Sequence, residues 1–167
     1  ALVFTLALLV GLVRAQDGDT IVISGFQMPD SYMSDFAQTA SAGYVLTNIY
    51  NSLVTTDADG NLVGDLAESW SVSDDDLTWT FNLREQWQDG EAFTAEDVAF
   101  TFEISAHPEY TGASFDPALA GAAERQAGEA DSVSGINVID DFTISFTTTE
   151  PNALFAQLAT FGGRDIV

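Results

Sequence analysis

The chain has 167 residues, 46% hydrophobic and 11% aromatic, with 26 acidic side chains against four Arg and no Lys, a formal net charge of -22. That length suits one domain, and the apolar fraction suffices for a core, which argues against charge-driven disorder. So negative a surface repels phosphate and excludes nucleic-acid binding by backbone neutralisation, as well as adhesion to anionic lipid headgroups.

The composition excludes more. There is no Cys, which removes disulfides, thiol catalysis and thiolate metal sites. His107 is the single His, too few for a conventional zinc site.

In chain order, residues 1–13 form an apolar run interrupted only by Thr5 and Gly11. As a helix the run would span about 20 Å, short of the roughly 30 Å hydrocarbon core of a bilayer. Val13-Arg14-Ala15 then places small or aliphatic residues at the positions signal peptidase reads before Gln16. Residues 1–15 are therefore expected to be a truncated secretory signal peptide, without its basic leading region. No Cys follows to carry a lipid anchor. The mature chain from Gln16 keeps three basic residues, Arg84, Arg125 and Arg164, against all 26 acids. Such acidity without Lys fits a saline extracytoplasmic space.

Residues 20–25 (TIVISG) predict a short buried strand, and residues 26–39 a polar, irregular stretch broken by Pro29. Ser41 is expected to open a helix whose Val45, Ile49 and Leu53 recur every four residues, with Leu46 and Tyr50 on the same broad face. Asp57-Ala58-Asp59-Gly60-Asn61 is a turn, because Asp-Gly supplies the left-handed geometry of a hairpin. Residues 68–73 predict a strand and Asp74-Asp75-Asp76 a second turn. Leu77, Trp79, Phe81 and Leu83 alternate with Thr78, Thr80 and Asn82, the clearest half-buried strand of the chain. Asp89-Gly90 turns again.

Thr94 is a good N-cap, with Glu96 and Asp97 complementing the dipole of a helix that carries Val98 and Phe102 and runs to about Ala106. Residues 107–131 predict a loop plus a short helix around 117–126. Residues 133–139 and 142–148 predict a hairpin about Asp140-Asp141, with Phe142, Ile144 and Phe146 on one face. Pro151 suits the first turn of a closing helix carrying Leu154, Phe155 and Leu158. Residues 161–167 resemble a loop leading into another strand, so the sequence is expected to be a piece of something longer. There are no internal repeats. The expected class is mixed α+β, antiparallel hairpins flanked by helices.

Chemistry-bearing motifs are sparse. Asp57-x-Asp59-Gly60 invites a calcium reading, but counted from Asp57 the Gly falls at position 4 of the loop instead of 6, so a hairpin turn is the better reading. The Asp74–Asp76 run reads as a solvated turn. Gly-x-Ser-x-Gly is absent and His107 precedes Pro108 in a loop-like segment, so no nucleophile constellation forms. Carboxylate pairs of the glycosidase kind are uninformative among so many acids. Gly162-Gly163 without a Lys is no phosphate loop. The expectation is a protein that is no enzyme, with no cofactor and no metal. Trp70, Trp79 and most Phe are core by pattern. Trp87, in the polar loop Glu85-Gln86-Trp87-Gln88-Asp89, is the least obviously structural, with packing still favoured over ligand stacking.

Residues 49–103 resemble the extracytoplasmic solute-binding proteins of ABC importers, family 5, the peptide/nickel group. The marks are Ile49-Tyr50-Asn51-Ser52-Leu53, Leu66-Ala67-Glu68-Ser69-Trp70, LTWTFNLR at 77–84, Asp89-Gly90 and Thr94-Ala95-Glu96-Asp97-Val98. Residues 127–146 (AGEADSVSGINVIDDFTISF) are similar to the family's next hairpin and residues 151–158 to the helix after it. The departures are Asn51 where the family often has Glu and Gly64 where Pro is usual.

The resemblance implies a two-lobed periplasmic-binding-protein fold, α/β overall, several hundred residues longer than this chain. Residues 16–167 would supply the N-terminal part of lobe I, its first strand plus a small subdomain, with the second lobe absent. The quoted motifs would be structural, and the loop after the first strand, Phe26, Gln27 and Met28, would face the ligand cleft. The implied function is capture of di- and oligopeptides and delivery to ABC permease membrane subunits, by a periplasmic monomer that closes over its ligand. Alternatives are the same scaffold binding an oligosaccharide, an opine-like solute or a nickel chelate, or a secreted acidic structural or calcium-dependent module.

Overall fold

A computed structural model describes residues 27–32, 39–84, 92–110, 118–158 and 166. The expected signal peptide, the strand at 20–25, Phe26, Trp87, the Asp89-Gly90 turn, Pro117 and Gly162-Gly163 lie outside the described residues.

Helix α1 is Ala40–Leu46, capped by Thr39, whose hydroxyl accepts from the Ala42 N–H at 3.2 Å. It buries Ala42 and Leu46 and stops there, although the apolar spacing predicts continuation through Leu53. The side chains of Thr47 and Asn48 both turn back to the Tyr44 carbonyl, and the Ile49 and Tyr50 N–H groups both close on Leu46 O. Residues of this kind offer the backbone local partners in place of the next helical turn. Ile49 is consequently exposed, while Leu53 is buried from the loop.

The first hairpin pairs β1 (Val54–Thr56) with β2 (Leu62–Gly64), antiparallel, across the expected Asp57–Asn61 turn, where Gly60 adopts φ +84°. A four-stranded antiparallel sheet follows, in the order β3 (Ala67–Val72), β4 (Thr78–Leu83), β6 (Thr143–Thr147), β5 (Ile136–Asp140). On β4, Trp79, Phe81 and Leu83 are buried as their alternation predicts. They meet Phe146 and Ile144 across the register pairs Trp79–Phe146 and Phe81–Ile144. The opposite face of the central strands carries only small uncharged polar side chains, with Thr80 beside Ser145 and Thr78 hydrogen-bonded to Thr147.

Helix α2 (Ala95–Ser105) covers the apolar face through Val98, Ala99 and Phe102. Its start is fixed by a reciprocal box, in which the Asp97 carboxylate accepts from the Thr94 N–H at 2.8 Å. The Asp141 carbonyl, on the β5–β6 turn, accepts from Ala95 N at 2.8 Å and docks the helix to the sheet. Five aromatic rings make the centre: Phe102–Phe146 centroids lie 4.5 Å apart, Phe146–Phe155 5.5 Å, and Phe81–Phe146 5.9 Å edge-on, with Trp79 5.9 Å from Phe155.

Three further expectations shift. The short helix α3 is Ala122–Gln126. In the β5–β6 hairpin, Asp140 belongs to the strand and Phe142 to the turn, where Asp140 Oδ1 accepts its N–H at 2.9 Å; Phe142 is thereby lifted to the rim, 37% exposed, away from buried Ile144 and Phe146. The last helix, α4 (Phe155–Leu158), starts after Pro151, because Asn152 Oδ1 takes the Leu154 N–H in a local turn; Phe155 is buried and Leu154 exposed.

Candidate functional site

Gln27 and Met28 open the described part of the chain, both exposed, Met28 at 79%. Two sets of bonds hold the segment 27–32 against α1. At one end, Asp30 Oδ1 accepts from the Ser31 N–H at 3.1 Å and the Thr39 hydroxyl at 2.9 Å, so the side chain that caps α1 also anchors the loop. At the other, the Tyr50 hydroxyl donates to Tyr32 O at 3.2 Å. Tyr32 and Tyr44 are exposed on these two segments, as is Ile49 in the turn after α1.

Residues 36–56 carry no charge, in a chain with 26 acids. Phenol rings and a thioether offer apolar contact and aromatic stacking at low conformational cost, without a nucleophile or general base. Such a surface suits binding.

The other candidate motifs are used inside the fold. The Asp57 carboxylate accepts from the N–H groups of Asp59 (2.9 Å) and Asn61 (2.8 Å), and Asn61 Nδ2 reaches its Oδ2 at 3.0 Å. The Asn61 side chain, then the backbone N–H groups, hold its carboxyl below the ordinary 3.8. Asp75 is lowered likewise, first by Ser73 and then by the Leu77 N–H. These bonds make the segment a hairpin turn. Among the described residues no group of three or more His, Cys, Asp or Glu is placed to hold a metal. His107 sits just past α2, where Nδ1 accepts from Glu109 N at 3.2 Å.

Two polar centres were not legible in sequence. Glu103 on α2 lies 3.6 Å from Arg125 Nε on α3, and its Oε1 accepts from Val133 N at 2.7 Å, tying three segments together. Asp65, between β2 and β3, accepts through its carboxylate from Asn51 Nδ2 (2.8 Å) and Ser52 N (3.0 Å), while its carbonyl accepts from Arg84 Nε. The one sequence signal for the second centre is Asn51, an amide where the resembled family often has Glu.

Residues 61–167 match the family model described as bacterial extracellular solute-binding proteins, family 5 Middle. The chain belongs to this family. As a family 5 solute-binding chain it is 31% identical over 136 residues to a Brucella ovis protein named for peptide binding in an ABC transporter, covering 78% of this chain and 24% of that one. It is 31% identical over 118 residues to the periplasmic oligopeptide-binding protein OppA of Escherichia coli, covering 66% and 22%. The crystal structure of Haemophilus influenzae OppA with the peptide RPPGFSPFR superposes with a TM-score of 0.77 at 27% identity, over 83% of this chain and 28% of that one. The chain thus spans about a quarter of the length of the relatives it matches, and the fold is that of part of a two-lobed binding protein. In this family 5 chain, Leu66–Trp70 leads into and builds β3, residues 77–84 build β4, and Thr94–Val98 start α2.

Proposed function

We propose that this chain is the N-terminal part of lobe I of an extracytoplasmic solute-binding protein, which captures di- and oligopeptides and hands them to the membrane permease of an ABC importer. The observation that carries the reading is the superposition on a peptide-bound oligopeptide-binding protein over most of this chain. The family match from residue 61 onward supports it.

In this reading residues 1–15 direct export, residues 16–167 build the first strand and small subdomain of lobe I, and the protein works as a periplasmic monomer without nucleic-acid partners. Phe26, Gln27 and Met28 face the solute, with exposed Tyr32, Tyr44 and Ile49 as further candidates for contact. Peptide backbones are held by main-chain hydrogen bonds and roomy hydrated pockets, with lobe closure stabilised by the ligand. Binding and release need no chemistry on the solute.

The test is to express the two-lobed protein that begins with this chain and titrate it calorimetrically with trialanine and a pentapeptide mixture. Saturable heat and a raised melting temperature are expected. No response to peptide, with a response to maltotriose, a nickel chelate or calcium alone, would overturn the peptide reading.

A further inference from the structure

Asp65 holds two nitrogens of consecutive residues on one carboxylate: Asn51 Nδ2 on Oδ1 at 2.8 Å and Ser52 N on Oδ2 at 3.0 Å. These are the leaving and the attacking nitrogen of asparagine cyclisation. We propose that Asn51 is a self-modifying site, which deamidates through a cyclic imide with Asp65 carrying the proton between the two nitrogens. Ser52 N attacks Asn51 Cγ and the new N–C bond forms as the Cγ–Nδ2 bond breaks. The Ser52 proton passes to the Asp65 carboxylate, which returns a proton to Nδ2, so ammonia leaves and Asp65 ends as it began. Water then opens the imide at either carbonyl, leaving aspartate or isoaspartate at position 51. No oxidant, metal or further reactant is needed.

The surroundings favour this residue over the other asparagines. Asn51 is exposed, so water reaches it, and although Asn51 and Ser52 lie outside helix and strand, the Leu66 N–H on Ser52 O and the Ile166 N–H on Asn51 O, both at 3.0 Å, keep the two nitrogens aimed at Asp65. The following side chain is the small hydroxymethyl of Ser52. Asn48, Asn61, Asn82 and Asn137 precede Ile49, Leu62, Leu83 and Val138, whose bulk crowds the attacking nitrogen, while Asn152, before the small Ala153, is engaged through Oδ1 by the Leu154 N–H at 3.1 Å. The product is consequential. It replaces a donor by a carboxylate facing Asp65, two like charges in contact, at the corner where Arg84 bonds Asp65 O and Ile166 N bonds Asn51 O at 3.0 Å. Ageing at Asn51 would therefore loosen the junction between the β1–β2 hairpin, the sheet and the returning chain end, independently of any solute.

The experiment is to store the two-lobed protein that begins with this chain warm at neutral pH, folded and in parallel in concentrated urea, and follow position 51 by peptide mass spectrometry and enzymatic isoaspartate detection. Folded chain is expected to convert several-fold faster than unfolded chain, with ammonia released in step, and faster at Asn51 than at any other asparagine. Protection by folding, or equal rates, would overturn the proposal, because the relay exists only in the folded corner. In Asp65→Asn the excess of folded over unfolded rate should disappear; an excess surviving in that variant, shown folded by circular dichroism, would equally overturn it. The urea comparison on the unmodified chain decides the matter even if Asp65→Asn does not fold.

Discussion

The sheet with α2 and the loop 27–32 with α1 are built on opposite terms. In the sheet and α2, each of five aromatic rings packs 4.5–6.4 Å from at least one other, and Phe81, Phe102, Phe146 and Phe155 are at most 1% exposed. Around α1 the aromatic residues point the other way, with Tyr44 76% and Tyr32 57% exposed, held in place by a few local hydrogen bonds. The sheet spends its apolar side chains on stability. The α1 region leaves Tyr44 and Ile49 exposed on a stretch without charge. Three of the quoted family marks, Leu66–Trp70, 77–84 and Thr94–Val98, lie in the first region.

The sharpest way to break this contrast is Phe146→Ala. Phe146 touches Phe81, Phe102 and Phe155, so truncation removes three ring contacts and leaves a cavity at the centre. A loss of about 3–5 kcal/mol in urea unfolding is expected; a loss below about 1 kcal/mol would show that the rings are not the stabilising centre. Next is Gly64→Ala. A Cβ at Gly64 would meet the Ala67 carbonyl, a backbone atom that cannot swing aside, so the β2–β3 corner must open. The expected cost is about 2 kcal/mol, against about 1 kcal/mol for Gly60→Ala, where φ is +84° but the space is open. Equal costs would mean that the corner is soft.

Those two positions also show what could be read from the residues. Strand β4 was legible because its period of two is carried by large apolar residues that have one face to go to. The turn at Gly60 was legible because Asp-Gly fixes local geometry. The end of α1 was not, since spacing alone extended it through Ile49 and Leu53, and the carbonyl competition by Thr47 and Asn48 leaves periodicity unchanged. Phe142 was misplaced by one position of a turn, enough to move a ring from the core to the rim. The Asp65 centre joins residues 51, 52, 65 and 84, a tertiary coincidence that no local pattern encodes. Of the candidate site, Gln27 and Met28 were singled out by resemblance, while their tether through Asp30 to the cap of α1 needed the coordinates.

A smaller effect separates the hairpin turn from both regions. The Asp57 carboxyl is held below its ordinary 3.8 by Asn61 and the turn's N–H groups. A lowered carboxyl contributes stability that is present above 3.8 and is lost as pH falls through the lower folded value. Asp57→Ala should therefore be less stable than the parent at neutral pH, and the gap should narrow below pH 3.8 and close under the folded value. A gap that stays constant down to that pH would assign the effect to the side chain's shape.

The smallest effect on stability belongs to Met28→Ser and Tyr44→Ser, and it sharpens the contrast most. Neither side chain is buried, so little apolar surface is returned to water on unfolding, and each urea midpoint should stay within the change of about 0.5 kcal/mol usual for surface positions. If Met28 and Tyr44 meet the solute, the same substitutions in the two-lobed protein should weaken peptide binding several-fold while leaving the melting temperature of the unliganded form in place. Loss of stability without loss of affinity would instead make Tyr44 a packing residue and move the solute face elsewhere.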